Sequence, residues 1–304
     1  MTPSPMFDAA TRYLEKLQDS ITAALESLDP ATPFRRDDWE RSDPPRGEGP
    51  ALRGWGRTRV IEGGEVFERG GVNLSCVHGE FSSQAPMSMP GEGRAFCAVG
   101  VSLVLHPVNP WVPTVHMNYR RLERGPVGWF GGGADLTPNY LIDDDARHFH
   151  RTLRAACEAH PGVADHRDLK RQCDDYFTLP HRGEMRGVGG IFFDHITTDP
   201  EATFAFVREA GDAFVPAYLP IVTRRRHTSW GERERRWQLL RRGRYVEFNL
   251  VCDRGTQFGL RTGGRTESIL MSLPATACWA YDHHPEPGTP EADMVAALQP
   301  RDWA

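Results

Sequence analysis

The stretch from Gly100 to Pro138, GVSLVLHPVNPWVPTVHMNYRRLERGPVGWFGGGADLTP, most constrains what this chain can become, because it sets polar groups on segments that otherwise read as buried strands. Val99 to His106 and Thr114 to Arg121 are β-branched and apolar enough for two strands, joined by a proline-rich connection. Alternation puts Ser102, Val104 and His106 on one face of the first strand. It puts His116, Asn118 and Arg120 on one face of the second, with Val115, Met117 and Tyr119 opposite. Paired, the two strands form a polar wall. Burying imidazole, amide and guanidinium groups costs about 1–3 kcal/mol for each group left unsatisfied, so a bound polar ligand is the expected source of partners.

The rest of the chain frames that wall. Asp8 to Leu28 carries Leu14, Leu17, Ile21, Leu25 and Leu28 at helical spacing and stops at Asp29-Pro30. Asp43 to Gly56 reads as an irregular connection, followed by short strands at Arg57 to Ile61, Glu65 to Glu68 and Val72 to Val77, with Gly63-Gly64 and Gly70-Gly71 between them. Ser82 to Gly93 reads as a loop able to act as a flap. Helices are expected over Asp143 to His160, Asp168 to Phe177 and Pro200 to Val215, with more helix through Trp237 to Leu240. Within the first of these His150 should face inward and His148 outward. Gly189 to Asp194, Tyr245 to Cys252 and Ser268 to Leu273 read as further strands. Strands at both ends with helices between predict one α+β domain over residues 1–304, built on a mainly antiparallel sheet.

Composition removes several function classes. With 39% hydrophobic residues and a net charge of −5 there is no basic excess to suit nucleic acid. No apolar run approaches transmembrane length, and MTPSPMFDAA has no secretion-signal pattern, so a cytoplasmic protein is expected. Six cysteines without a C-x-x-C pair are expected as reduced thiols.

Several groups are candidates for chemistry. His106, His116, His150 and His181 are of a type that suits a transition metal, although no short ligand motif joins them. Gly131-Gly132-Gly133, read as a glycine-rich turn between aromatic flanks, precedes Asp135, a candidate partly buried carboxylate. Arg254-Gly255 and Gly263-Gly264-Arg265 read as turns flanking the last strand pair and able to face an anion. Arg224 to Arg226, with Arg233, Arg235, Arg236, Arg241, Arg242 and Arg244, reads as a solvated, salt-bridged helix face.

The blocks GVSLVLHPVNPWVPTVHMNYR, WFGGGADLTP, CDDYFTLPHRGEMRGVGGIFFD, YLPIV, GRYVEFNLVCDRGTQFGLRTGGRTESILMSLP and a terminal RDW resemble those of the oxygen-dependent coproporphyrinogen III oxidases, over nearly the whole chain. The resemblance implies a flat antiparallel sheet with helices on both faces, and a homodimer to which Tyr245 to Tyr281 contribute. It implies conversion of two propionates of coproporphyrinogen III to vinyl groups, giving protoporphyrinogen IX. Molecular oxygen is the co-substrate, no organic cofactor is needed, and a divalent metal is left open. By the same resemblance His116 matches a proton donor, and Asp135 a carboxylate that holds or deprotonates the pyrrole N–H groups. Ser102, Asn118, Tyr119, Arg120, Gly263, Gly264 and Arg265 match substrate contacts, with Arg120 and Arg265 set to pair with propionates. His106, His116, His150 and His181 match the ligands of the metal in bacterial members.

Overall fold

In the computed structural model, which describes residues 2–41, 52–80, 89–261 and 263–304, seven strands of the described chain form one sheet. They are β1 (Arg35–Arg41), β2 (Arg53–Glu62), β3 (Phe67–Glu80), β4 (Ala95–Pro107), β5 (Thr114–Arg124), β6 (Val127–Thr137) and, after the two-residue strands β7 (Thr178–Leu179) and β8 (Glu184–Met185), β9 (Gly189–Ile196). The order is β1-β2-β3-β4-β5-β6-β9, antiparallel throughout. Helices α1 (Pro5–Glu26), α2 (Asp143–Glu158), α3 (His166–Tyr176), α4 (Pro200–Asp212), α5 (Phe214–Arg225), α6 (Glu232–Glu247), α7 (Arg254–Arg261), α8 (Thr266–Leu270) and α9 (Pro290–Ala296) complete the α+β fold.

One sheet face is apolar. Val101, Leu103, Leu105, Val115, Met117, Ala134 and Ile191 are buried there against the stripe Leu14, Leu17, Ile21 and Leu25 of α1 and against Phe206, Val207 and Ala210 of α4. Ser4 caps α1 by accepting the Phe7 N–H, and Pro5 starts the helix, where its missing N–H costs nothing. Helices α2 and α5 pack around α1 and α4, and His150 faces inward, fully buried. The other face is covered in part by α6, α8 and the segment between them.

The structure departs from the sequence reading where long-range packing overrides local signals. Gly70 and Gly71 lie inside β3 rather than in a turn, because a side chain at Gly71 would collide with the Met271 sulfur and one at Gly70 with the Val104 carbonyl. Gly131 to Gly133 likewise run within β6. Arg53 to Gly56 belong to β2; most of the connection before them, and residues 82–88 of the candidate flap, lie outside the described residues. The charged strand β1, RRDDWER, carries no apolar alternation and was not legible as a strand. As an edge strand it needs only backbone pairing, and its charges discourage pairing with another chain.

The largest correction concerns the last third, where helices replace the expected strands. Tyr245, Phe248 and Asn249 are buried together at i, i+3 and i+4, whereas Leu250 is 45% and Val251 61% exposed. Residues Phe248–Cys252 form a π-helical turn at the end of α6, and Arg254-Gly255 opens α7. Ser268 sits in α8, and Gly263-Gly264-Arg265 links α7 to α8. Nor is α6 a wholly solvated basic face, since Arg241 and Arg242 are buried and paired with Glu184 and Glu68.

Candidate active site

Directly opposed residues of antiparallel strands share a face. The register therefore carries the polar wall beyond β4 and β5. Asp37, Thr58, Asn73, Ser102, Asn118 and Gly133 lie in one row across six strands. A second row holds Ser75, Gly100, Arg120 and Gly131, and a third Gly71, Val104, His116 and Asp135. Asn73, Ser75, Ser102, His116, Asn118 and Arg120 are half-buried, so this face is an accessible strip rather than a sealed core. Glycines within it keep the floor low.

At one end of the strip lies the most heavily engaged group in the site. Asp135 is 1% exposed and receives Arg186 Nη2 at 2.9 and 2.7 Å on its two oxygens and His116 Nδ1 at 2.7 Å on Oδ1. Burial by itself would push this carboxyl up, but the Arg186 guanidinium and the His116 ring outweigh it and hold it below the ordinary carboxylate range. The ionised carboxylate accepts only, so the proton on the imidazole sits at Nδ1. Nε2 is left without a partner among the described residues, on a ring 21% exposed. Arg186 is buried in turn, its Nη1 donating to Asn249 Oδ1 at 3.2 Å and its guanidinium lying 4.2 Å from the Phe177 ring centre and 4.7 Å from those of Tyr245 and Phe248. The π-helical turn brings Asn249 and Phe248 to this cation, in keeping with the frequent use of such turns at functional sites.

Arg120 extends over Gly131. Its Nη1 donates to Asn118 Oδ1 at 2.8 Å and its Nη2 lies 2.8 Å from Asp194 Oδ2. Arg265, reached from the α7–α8 link, pairs with Asp37 of β1 at 2.6 Å, and the Gly263 carbonyl accepts from Arg41 Nη1 at 2.7 Å. Asn73 Oδ1 accepts from Thr58 Oγ1 at 2.7 Å, and Thr58 Oγ1 lies 3.0 Å from Ser268 Oγ of α8. Ser102, His116, Asn118, Arg120 and Asp135 thus share one surface. Tyr119 does not. It points to the opposite face, fully buried, where its hydroxyl donates to Ala210 O at 3.0 Å.

The four histidines do not converge, which corrects their grouping as one metal set. His106 is fully buried with Nε2 2.8 Å from Ser272 O and Nδ1 3.3 Å from Thr114 Oγ1. His150 lies in α2, with Nε2 3.1 Å from Val188 O. Burial holds both rings neutral, pushing each down to about 3. His181 lies in the β7–β8 turn, 2.9 Å from Glu247 Oε2. Among the described residues no three His, Cys, Asp or Glu side chains are placed to hold one ion. The donor set does not fit a shared metal: one nitrogen of each ring is taken by a backbone carbonyl or a carboxylate, and the nitrogens left over are not brought together with further donors among the described residues.

Glu247 is a structural junction beside the site. It accepts from Arg182, Arg244, His181 and Trp279. Burial would raise it, but Arg182, His181 and Trp279 prevail and bring it down to about 2 from an ordinary 4.5. A carboxyl depressed in the folded state stabilises above its unfolded value and loses that contribution as pH falls through the folded one. The stability difference between the wild type and Glu247→Gln is therefore expected to shrink as pH drops from about 4.5 to about 2, read by circular dichroism in denaturant.

Sequence reasoning missed Arg186, Asp194, Asn249 and Phe177. The one local signal was Arg186 before Gly187, Gly189 and Gly190, a cation followed by backbone able to pass close under the sheet edge. No helix among the described residues is long and apolar enough to cross a membrane. An ionised buried carboxylate, an imidazole with one fixed tautomer, and arginines along a polar strip make a surface for a polyanionic, proton-exchanging substrate. The family model for coproporphyrinogen III oxidase matches residues 9–303, and the chain belongs to that family of haem-biosynthesis oxidoreductases.

Proposed function

We propose that this protein, in the cytoplasm, converts coproporphyrinogen III to protoporphyrinogen IX by oxygen-dependent oxidative decarboxylation of two propionates. The observation that carries this reading is the Asp135–His116–Arg186 cluster beneath the open polar strip. At each reacting arm a proton and two electrons leave the propionate carbon next to the ring and, with one further proton, reduce molecular oxygen to hydrogen peroxide. The carboxylate then departs as carbon dioxide, and its bonding pair closes the vinyl double bond. The residues need to hold the macrocycle, move protons and keep charge balanced.

Arg120 and Arg265 pair with propionates, the bidentate task to which guanidinium is suited. Ser102 and Asn118 hydrogen-bond along the floor. The depressed carboxyl of Asp135 makes it a poor proton acceptor, so removal of a pyrrole proton falls to His116 Nε2. Asp135 holds the His116 tautomer, and its fixed negative charge favours the positive character that the pyrrole N–H groups gain as electrons leave. Membership of the family supports the substrate class. The exposed Leu250, Val251, Phe258 and Leu260 on the π-helical turn and α7 support a homodimer seated there, with molar mass by light scattering as its check.

Chromatography of the products tests the reaction. Vinyl products are expected in air and absent without it. Because the four histidines do not converge on one point among the described residues, chelator-treated protein is expected to keep its turnover. Turnover without air overturns the role of oxygen, and a chelator loss restored by one divalent ion places a metal in the reaction.

A further inference from the structure

Arg120 already carries a carboxylate in the free protein, and the backbone is bent to supply it. Near the end of β9, just after Asp194, His195 takes a positive φ of 57°. The register between β6 and β9 shifts between Phe130 and Gly132. A non-glycine residue in the left-handed region costs of order 1 kcal/mol, so the chain accepts strain where Asp194 turns onto the sheet face. Asp194 Oδ1 accepts the His195 N–H at 3.0 Å, and Oδ2 meets Arg120 Nη2 at 2.8 Å across Gly131. A Cβ at Gly131 would stand 2.5 Å from Asp194 Oδ1 and 2.9 Å from Arg120 Nη2, so glycine is what lets the pair close over β6. Arg120 is 27% and Asp194 23% exposed, wet enough for one partner to be exchanged for another. The opposite edge strand repeats the arrangement, with Asp37 on Arg265.

We propose that Asp194 is a displaceable stand-in for the substrate's carboxylate: it occupies Arg120 in the free protein, yields it to a propionate on binding, and takes it back once that arm has lost carbon dioxide. The inference rests on the reading of Arg120 as a propionate ligand. A half-buried guanidinium is costly to leave without a counter-charge, both before substrate arrives and after its carboxylate is gone. Asp194 removes that cost at both moments. Binding becomes an exchange of one carboxylate for another, weaker than binding to an open arginine, and a product lacking the acid arm finds the position closed and leaves. Asp194 is on this account a positioning residue that acts through Arg120.

The test uses Asp194→Asn and Asp194→Ser in the full chain. Coproporphyrin, the stable fluorescent tetra-acid, and its tetramethyl ester are titrated by fluorescence, alongside steady-state turnover. The tetra-acid is expected to bind about five-fold tighter to both variants, the equivalent of an exposed ion pair of ~1 kcal/mol, with the ester unchanged. KM and kcat should fall together as product release slows. The gain should persist at about 0.5 M salt, which screens repulsion through solvent more than exchange at a contact. Unchanged or weaker tetra-acid binding, in variants that keep the wild-type unfolding midpoint, overturns the proposal. So does a gain that salt abolishes. If the wild type neither binds coproporphyrin nor forms vinyl product, the functional reading itself fails.

Discussion

Replacing Asp135 with alanine is expected to reduce turnover by at least about 10³-fold and to destabilise the protein by about 3–5 kcal/mol. The two losses have different origins. Stability falls because Arg186, 2% exposed and boxed by Phe177, Tyr245 and Phe248, keeps its charge and loses the carboxylate it pairs with. Turnover falls because His116 loses the acceptor that fixes its tautomer, and the site loses its buried negative charge. A double substitution separates them. Asp135→Ala with Arg186→Met replaces an ion pair by apolar volume, so most of the stability should return while turnover does not. Denaturant unfolding and product chromatography supply both readings. Acid should imitate the stability loss. With the carboxyl depressed from 3.8, its contribution is complete above about pH 4 and fades only as the pH falls below that value. Near-normal turnover of Asp135→Ala would remove the centre of the proposed mechanism.

His116→Gln is expected to lower kcat by about 10²–10⁴-fold while leaving stability within roughly 1 kcal/mol of the wild type. His116 is partly exposed, and among the described residues its ring hydrogen-bonds only to Asp135, which Arg186 still neutralises in the variant. The glutamine amide can occupy the space and donate to Asp135, yet it has no nitrogen that takes up a proton near neutral pH. Oxygen uptake over a single turnover, compared with equilibrium binding of coproporphyrin, distinguishes the roles. A loss confined to the chemical step supports proton transfer. A loss confined to binding makes His116 a substrate contact instead.

How much was legible in the sequence follows from the range of the interactions concerned. The polar face of β4 and β5 was readable because alternation along a strand is local: His116, Asn118 and Arg120 must share a side whatever the strand packs against. The same rule already set Tyr119 on the far side, so its likeness to a substrate contact gave way to the core. The inward turn of His150 was readable from helical spacing against Leu153 and Ala146. Extension of the wall to Asn73, Thr58 and Asp37 was not, because it depends on the register of three further strands. Tyr245 to Cys252 alternates well enough to pass for a strand. What makes it helical is that Tyr245 and Phe248 both close on Arg186, a residue about sixty positions earlier.

The amino-acid order by itself determined the α+β class, the long first helix, the central strands and the side of the sheet on which polar groups stand. These follow from periods of 2 and 3.6 residues that each segment expresses alone. Only the tertiary structure decided the partners: Arg186 on Asp135, Asp194 on Arg120, Asp37 on Arg265, and a separate acceptor for each histidine. A charge takes the nearest opposite charge that folding leaves beside it, and that neighbour lies scores of residues away along the chain.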